Sequence, residues 1–585
     1  MAKGGRGLLV VVLVIAVFGV VLVGAGFFVI AGGKPPVPNR TILELNLERG
    51  IPETSPADPF SAFGGERPLS LRDVVDGLEK GGDDPHVVGL VARLGAAPLG
   101  VAEIQEIRDA VKAFRAKKKF AFAYSETFGE FGPGNGPYYL ATAFDEIWLQ
   151  PSGDLGLNGL VAESPFFRGA LDKLGVKPEF GQRHEFKNAM NQYTETKFTD
   201  AHREATKTLL DSVYSQMVRG IAEGRKMTEE EVRAAIDRGP YLGPEAREAR
   251  LVDGLAYRDE VHATLVKKGG ADATFLRLPA YLKREGRPYA EGKRTIALVY
   301  GVGNVVRGRS SGNPLTGGQT MGSETVAKAI RSAVADGNVA AILFRVSSPG
   351  GSYVASDTIW REVVLAKKAG KPVIVSMGDV AASGGYFVAI PADKIVAQPG
   401  TITGSIGVLA GKMVTPAMWE KVGLTFDQVA VGANANMWNA SKGFSPAEWL
   451  RFNAWLDRIY DDFTSKVAEG RKLPKEKVLE IAKGRVWTGE DAKALGLVDE
   501  LGGYATALKL AKAAAKIPAG EKVKVVVFPA EKNPFETLAT RLSGEEEDES
   551  SFTALVKLLE PLRPALRQIE AEGQGVLTAP PLTIR

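Results

Sequence analysis

Two glycine-rich segments carry the residues best placed to do chemistry: Ser347-Ser348-Pro349-Gly350-Gly351 and Ala381-Ala382-Ser383-Gly384-Gly385-Tyr386. Each follows an apolar run that reads as a strand and precedes a run that reads as a helix. Paired glycines let a backbone turn sharply and leave its N–H groups bare. At a helix start such groups can receive an oxyanion. A serine at such a corner exposes its hydroxyl, and the N–H of Gly384 lies beside any oxyanion formed at Ser383. Taken singly, each segment is an ordinary turn motif. A serine nucleophile also needs a base. The chain has no cysteine and only four histidines, His86, His184, His202 and His262, none of them at HExxH-type spacing. That removes thiol nucleophiles, disulfides and a histidine-built metal site. A lysine is the natural base, and it can serve only if burial brings its pKa toward neutrality.

The elements that must hold these groups alternate. Residues 340–346 predict a buried strand, 353–368 a helix, 372–377 a strand, 384–390 a helix and 394–397 a short strand. Such alternation means a largely parallel sheet with helices on its faces. The pattern is also written twice. Arg40-Thr41-Ile42 matches Arg294-Thr295-Ile296, and VVGLVAR (87–93) resembles VAAILFR (339–345). Residues 135–160 align without a gap on 383–408 with nine identities, among them Tyr138/Tyr386, Asp145/Asp393, Pro151/Pro399 and Gly156/Gly404. Leu251-Val252-Asp253 echoes Leu497-Val498-Asp499. The chain therefore reads as two diverged copies of one domain, 39–280 and 292–520, followed by a tail over 521–585.

Together and in this order the segments FRVSSPGGS (344–352), MGDVAASGGYFVA (377–389) and TITGSIGV (401–408) resemble the Clp-protease/crotonase superfamily. Within it they resemble the signal peptide peptidase A (protease IV) family in its long, tandem form. The resemblance covers about 40–515 and implies α/β domains of repeated ββα units. It implies peptide hydrolysis by a Ser/Lys dyad without a cofactor, and a homotetramer. It implies Ser383 as nucleophile, the N–H groups of Gly351 and Gly384 as oxyanion hole, and Ser405 as the serine that orients the lysine. The family's lysine lies in a Tyr-Lys-Ser-Ala pattern of the first copy. Phe186-Lys187-Asn188-Ala189 fits it, with Arg203-Glu204-Ala205 matching downstream, and Lys177 and Lys197 are fallbacks. Ser347 stands where the family usually has Asn, a change expected to alter loop bonding more than chemistry. The gapless shift that pairs Asn135 with Ser383 also pairs Leu157 with Ser405 and Lys187 with Ala435. The first copy thus keeps the lysine and lacks the serines, and the second does the reverse. Only together do they hold one complete set, provided no insertion falls between 160 and 187.

The start of the chain is of another kind. Residues 8–31 carry no charge and are long enough to cross a bilayer as a helix. Lys3 and Arg6 precede them and Pro35, Pro36 and Pro38 follow, so residues 1–38 read as cytoplasmic tip, uncleaved anchor and stiff linker. That places the bulk outside a bacterial inner membrane, facing the periplasm. A net charge of +4 over 585 residues, without a basic block, gives no footprint for nucleic acid. The resemblance implies signal peptide remnants and other short or unfolded peptides as substrates. Two rival readings use the same fold. A crotonase-type acyl-CoA enzyme would need neither Ser383 nor an anchor. A non-catalytic membrane scaffold would not need to keep Ser383, Ser405 and both glycine pairs.

Overall fold

The computed structural model describes residues 35–54, 68–95, 99–311, 319–529, 577–578 and 583–584. The expected anchor at 8–31 and most of the tail over 521–585 lie outside the described residues. Among the described residues no helix is long and apolar enough to cross a membrane.

The protein is a mixed α/β structure. The first copy contributes strands β1 (Thr41–Asn46), β2 (Val87–Leu94), β3 (Phe120–Ser125), β4 (Glu146–Leu149), β5 (Lys177–Gln182), β6 (Gly254–Leu255) and β7 (Thr274–Arg277). Its helices include α1 (Leu71–Asp83), α2 (Val101–Ala116), α3 (Asn135–Ala141) and α4 (Asp200–Arg225). The second copy contributes β8 (Arg294–Val302), β9 (Val339–Ser348), β10 (Val373–Ala382), β11 (Lys394–Ala397), β12 (Ile402–Gly404), β13 (Leu409–Val414), β14 (Val486–Thr488) and β15 (Val523–Phe528). Its helices include α5 (Tyr353–Lys368), α6 (Gly384–Ala389), α7 (Pro446–Arg471) and α8 (Tyr504–Ala514). The first sheet runs β7-β1-β2-β3-β4-β6 and the second β14-β12-β10-β9-β8-β15, with β11 beside β10. Pairing in both is parallel except where β14 closes on β12. Covered on both faces, the central strands carry near-continuous apolar runs. Ala341, Ile342, Leu343 and Phe344 of β9 are all buried.

The two copies keep the same polar pins under different cores. The Tyr138 hydroxyl donates to Leu251 O at 2.8 Å and the Tyr386 hydroxyl to Leu497 O at 2.9 Å. Asp145 and Asp393 each accept from a strand N–H, of Ala121 and Val373, at 2.8 Å. Asp253 and Asp499 accept from Ile147 and Ile395 at 2.7 Å. Each of these bonds satisfies a strand or loop group that burial would otherwise orphan.

The strand expected at 372–377 is longer than its sequence signal. β10 runs on to Ala382 because its register on β9 shifts between Val346 and Ser348, and its last residues pair with β12. That extension carries the backbone to the corner at Ser383.

The copies meet through β5, which leaves the first and pairs antiparallel with β13 of the second, from Lys177 opposite Val414 to Gln182 opposite Leu409. A buried polar joint also links the copies. Arg345 of β9 donates to Glu53 at 2.7 Å, Glu106 at 2.9 Å and Ser376 at 2.9 Å. Glu106 of α2 also accepts from the N–H of Tyr504 that opens α8.

Candidate active site

Ser383 sits where β10 turns into α6, with φ +54° and ψ −115°. A side chain held in that region stores strain that persists only where the surroundings fix it. Here the Ser383 N–H donates to Gly404 O at 2.9 Å, and its carbonyl accepts from Phe387 N at 2.8 Å. Ser405, next along from Gly404, also has a positive φ of 50°. Its N–H donates to Arg485 O at 2.7 Å.

Lys187 enters from the first copy. β5 ends at Gln182, and the Arg183 N–H donates to Val408 O just before β13 begins. The next residues drop the lysine into the second copy, where it is fully buried with Ser383 and Ser405. Its Nζ lies 2.8 Å from Ser383 Oγ, 3.0 Å from Ser405 O and 3.0 Å from Ser405 Oγ. Burial without a facing carboxylate holds the Lys187 pKa well below the usual lysine range. A neutral amine has two N–H donors and one lone pair. Two N–H groups toward Ser405 and a lone pair toward the Ser383 hydroxyl use all three.

Gly350 and Gly351 form a two-residue strand behind the serine, with φ +110° and +151°. A Cβ on Gly351 would fall 2.2 Å from Val305 O, so only glycine passes there. A Cβ on Gly384 would fall 3.1 Å from the Gly351 nitrogen, which brings the two expected oxyanion donors side by side. Ser352 caps α5 by accepting from Ala355 N, and Ser348 Oγ accepts from Gly350 N. On its other edge Gly350–Gly351 pairs antiparallel with Leu577–Thr578 of the tail. An extended chain therefore fits against this strand.

Of the expected residues, the structure brings Ser383, Lys187, Ser405, Gly351 and Gly384 together. The fallbacks Lys177 and Lys197 lie elsewhere: Lys177 is paired with Glu179 at 2.9 Å, and Lys197 is exposed. The offset between the copies is 248 at Gly175 and Gly423, both left-handed at φ +79° and +77°. It is 246 at the helix caps Thr199 and Ser445. Two residues are therefore lost between these points, so the counterpart of Lys187 falls within Ala433-Asn434-Ala435 and is not a lysine in either register.

Sequence reasoning missed the glycines that seat the lysine. A Cβ on Gly484, at φ +81°, would lie 2.5 Å from the Lys187 backbone, and one on Gly407 would lie 3.2 Å from Lys187 Cδ. It also missed Arg485, which stacks over Phe186 beside the lysine at 4.9 Å and pairs with Glu204 of α4 at 2.7 Å. Tight glycine contacts between segments far apart in the chain leave no local pattern. The Phe186-Lys187 pair was the only available hint of the stacking.

A buried serine in strained backbone with a buried amine on its hydroxyl defines the class: a serine hydrolase of acyl-transfer type. The model of peptidase family S49 matches twice, over residues 114–272 and 365–518. The chloroplastic serine protease SPPA of Arabidopsis thaliana is 32% identical over 81% of this chain and 70% of its own length. Protease 4 of Salmonella typhi is 33% identical over 77% and 72%, and Protease 4 of Haemophilus influenzae 31% over 78% and 75%. Among solved structures, a ClpP1 mutant from Listeria monocytogenes aligns over 37% of this chain and 95% of its own, at 17% identity and a TM-score of 0.23. The chain belongs to peptidase family S49 and is a serine peptidase.

Proposed function

We propose that the chain is a membrane-anchored endopeptidase that cuts peptides with Ser383 as nucleophile and Lys187 as general base. The observation that carries this reading is the buried Lys187 amine 2.8 Å from Ser383 Oγ with no carboxylate beside it. Neutral Lys187 takes the hydroxyl proton as Ser383 Oγ attacks the peptide carbonyl. The Gly351 and Gly384 N–H groups hold the oxyanion. Lys187 then gives the proton to the leaving amine, and water later cleaves the ester, with Lys187 again as base. Ser405 positions the amine. The substrate lies extended against Gly350–Gly351, where the tail strand Leu577–Thr578 pairs.

The two copies are Clp-protease/crotonase-like domains behind a single membrane helix at 8–31, and they face the outside of a bacterial inner membrane. The substrates are signal peptide remnants and other short, unfolded hydrophobic chains, and the working form is a homotetramer. A fluorophosphonate probe on the purified protein tests the core of this reading. It should label the wild type at Ser383, and label neither Ser383→Ala nor Lys187→Ala. Equal labelling of Lys187→Ala would give the base role to another group.

A further inference from the structure

One short stretch, residues 484–487, touches both the Lys187 loop and Ser405. Its backbone belongs to the second copy. The Gly484 carbonyl accepts from Ser405 Oγ at 3.4 Å, and the Arg485 carbonyl accepts from Ser405 N at 2.7 Å. Val486 and Trp487 of β14 stand opposite Gly404 and Thr403 of β12. The Arg485 side chain reaches into the first copy instead. Its guanidinium lies over two rings, Phe186 at 4.9 Å and Trp487 at 4.5 Å. Its tip donates to Glu204 at 2.7 Å and to Thr208 at 3.1 Å, both on α4.

The stack and the ion pair are unequal. The Glu204 side chain is 58% exposed, so water screens the pair. The Arg485 side chain is only 17% exposed, and its Nε is buried without a hydrogen-bond partner. A flat, weakly hydrated cation keeps its faces on rings at little cost in solvation. The faces therefore fix this side chain more than its N–H groups do. Phe186 is half-buried and Lys187, the next residue, is fully buried. The loop passes from water into the site at Phe186, and Arg485 covers that point.

The first copy supplies a control. The 246-residue offset that matches Leu251 to Leu497 puts Gly239 at the place of Arg485 and Tyr241 at that of Trp487. A Cβ on Gly239 would fall 1.8 Å from the carbonyl of Leu157, the counterpart of Ser405. The copy without the serine thus has neither the arginine nor space for one.

We propose that Arg485 is a positioning residue for the acyl transfer, holding Phe186 under its face and so keeping the Lys187 amine seated on Ser383 and out of water. The proposal rests on the Ser383/Lys187 reading above and adds the group that locks the borrowed lysine in place. Other charged groups surround the loop. Glu185 pairs with Lys483 at 3.8 Å, and the His184 ring lies 4.8 Å from that of Tyr460. Among the described residues the hydrogen bonds of the Lys187 amine go to Ser383 and Ser405 alone. Burial lowers its pKa, so water admitted at Phe186 raises it again. With the neutral amine as base, a higher pKa means less base at neutral pH and full recovery only at alkaline pH.

The test uses the full chain in detergent. It measures fluorophosphonate labelling of Ser383, and kcat and KM on a peptide, across pH. Arg485→Ala should move the midpoint up by about one unit, lower kcat at neutral pH about tenfold and regain most of the rate at alkaline pH, with little change in KM. Arg485→Lys keeps the charge and loses the flat faces, so it should follow Arg485→Ala. Phe186→Leu should shift the midpoint alike, and combining it with Arg485→Ala should add little. Glu204→Gln should stay near wild type. A wild-type profile in Arg485→Ala overturns the proposal. So does an equal loss at every pH with the midpoint unmoved, which is the mark of general damage to the fold. A midpoint shift in Glu204→Gln as large as in Arg485→Ala gives the effect to the ion pair and also overturns it. If Arg485→Ala does not fold, an unshifted Phe186→Leu decides against it. Lys187→Ala separates the two readings: wild-type labelling there ends the dyad itself, whereas an inactive Lys187→Ala beside an unshifted Arg485→Ala ends only the role of Arg485.

Discussion

The same corner of the fold is built twice and does different work. In the second copy it holds Ser383 at φ +54° and Ser405 at φ +50°. In the first, Asn135 and Leu157 stand at these positions, and neither has a positive φ. Asn135 ties its corner shut: its Oδ1 accepts from Asn158 N at 3.1 Å and Gly159 N at 3.2 Å, and its Nδ2 donates to Gly159 O at 2.8 Å. The glycine pair has gone from the sequence as well. The caps Gly100 and Ser352 correspond, so Leu99 stands at the place of Gly351. Leu99, Leu94, Ile104, Pro137 and Leu140 line an apolar cleft where the second copy has its polar site. One copy has exchanged backbone strain for side-chain hydrogen bonds and apolar filling. The other keeps the strain and borrows a lysine. Strain is retained where the proposed chemistry uses it and relaxed where it does not.

The comparison breaks first at the borrowed lysine. Ser383→Ala and Lys187→Ala should each abolish peptide cleavage, and the double variant should be little worse than either, since residues acting as one unit are not additive. Lys187→Arg should be as inactive, because a guanidinium stays protonated. The sign of the pH dependence follows from burial. Lys187 loses its proton below the usual lysine range, the neutral form is the proposed base, and kcat should therefore rise with pH. The midpoint should fall well under that of a free lysine. Steady-state rates across pH check this, and a Lys187→Ala variant with wild-type turnover would end the shared-site account.

Much of this was legible in sequence, and unevenly so. The turn at Ser383-Gly384-Gly385 and the pins Tyr138/Tyr386 and Asp145/Asp393 could be read because each is local or lies in a segment that aligns without a gap. Lys187 could be reached only through a resemblance and the complementary loss of residues between the copies. Its position depends on a strand pair between β5 and β13, and nothing in 177–182 announces that partner. Gly484 and Gly407 were invisible. Their role is to leave room for a side chain from the other copy, and room made by distant segments has no spacing to read. The extension of β10 was missed for a similar reason, since its register shift is set by β9 and β12 and not by its own alternation.

Smaller changes sharpen the comparison. Gly351→Val puts a Cβ into Val305 O, so the strand and its N–H must move. Turnover should drop about a hundredfold or more, as for loss of one oxyanion donor, with the KM less affected. Unchanged kinetics would place the oxyanion donors elsewhere. Gly484→Ala is milder because it displaces the lysine without touching the serine or its donors. With the new Cβ 2.5 Å from the Lys187 backbone and φ at +81°, the amine should shift off Ser383. A misplacement of that order costs about tenfold to a hundredfold. The loss should appear in kcat and in the rate of fluorophosphonate labelling together, whereas Gly484→Ala with wild-type rates would show that the lysine loop has slack.

The smallest effect expected is none, and it tests whether the first copy is truly spent. Asn135→Ser restores a hydroxyl at the position that matches Ser383. If the serine were all that the first copy lacked, adding Asn135→Ser to Ser383→Ala would recover some activity. The structure says otherwise on three counts. The backbone at 135 is not held in the positive-φ corner, so the hydroxyl is not presented as it is at 383. Leu99 stands at the place of Gly351, and Pro137 stands where Gly385 lies in the other copy. No lysine occurs at 433–435 to serve as its base from a neighbouring chain. Ser383→Ala with Asn135→Ser should therefore label no more than Ser383→Ala. Asn135→Ser alone should keep wild-type turnover and lose only a little thermal stability, about 1 kcal/mol for the weakened bonds to Asn158 and Gly159. Recovered labelling in the first copy, located by peptide mapping, would mean that its corner can still adopt the strained geometry and that the division of labour between the copies is not fixed by the backbone.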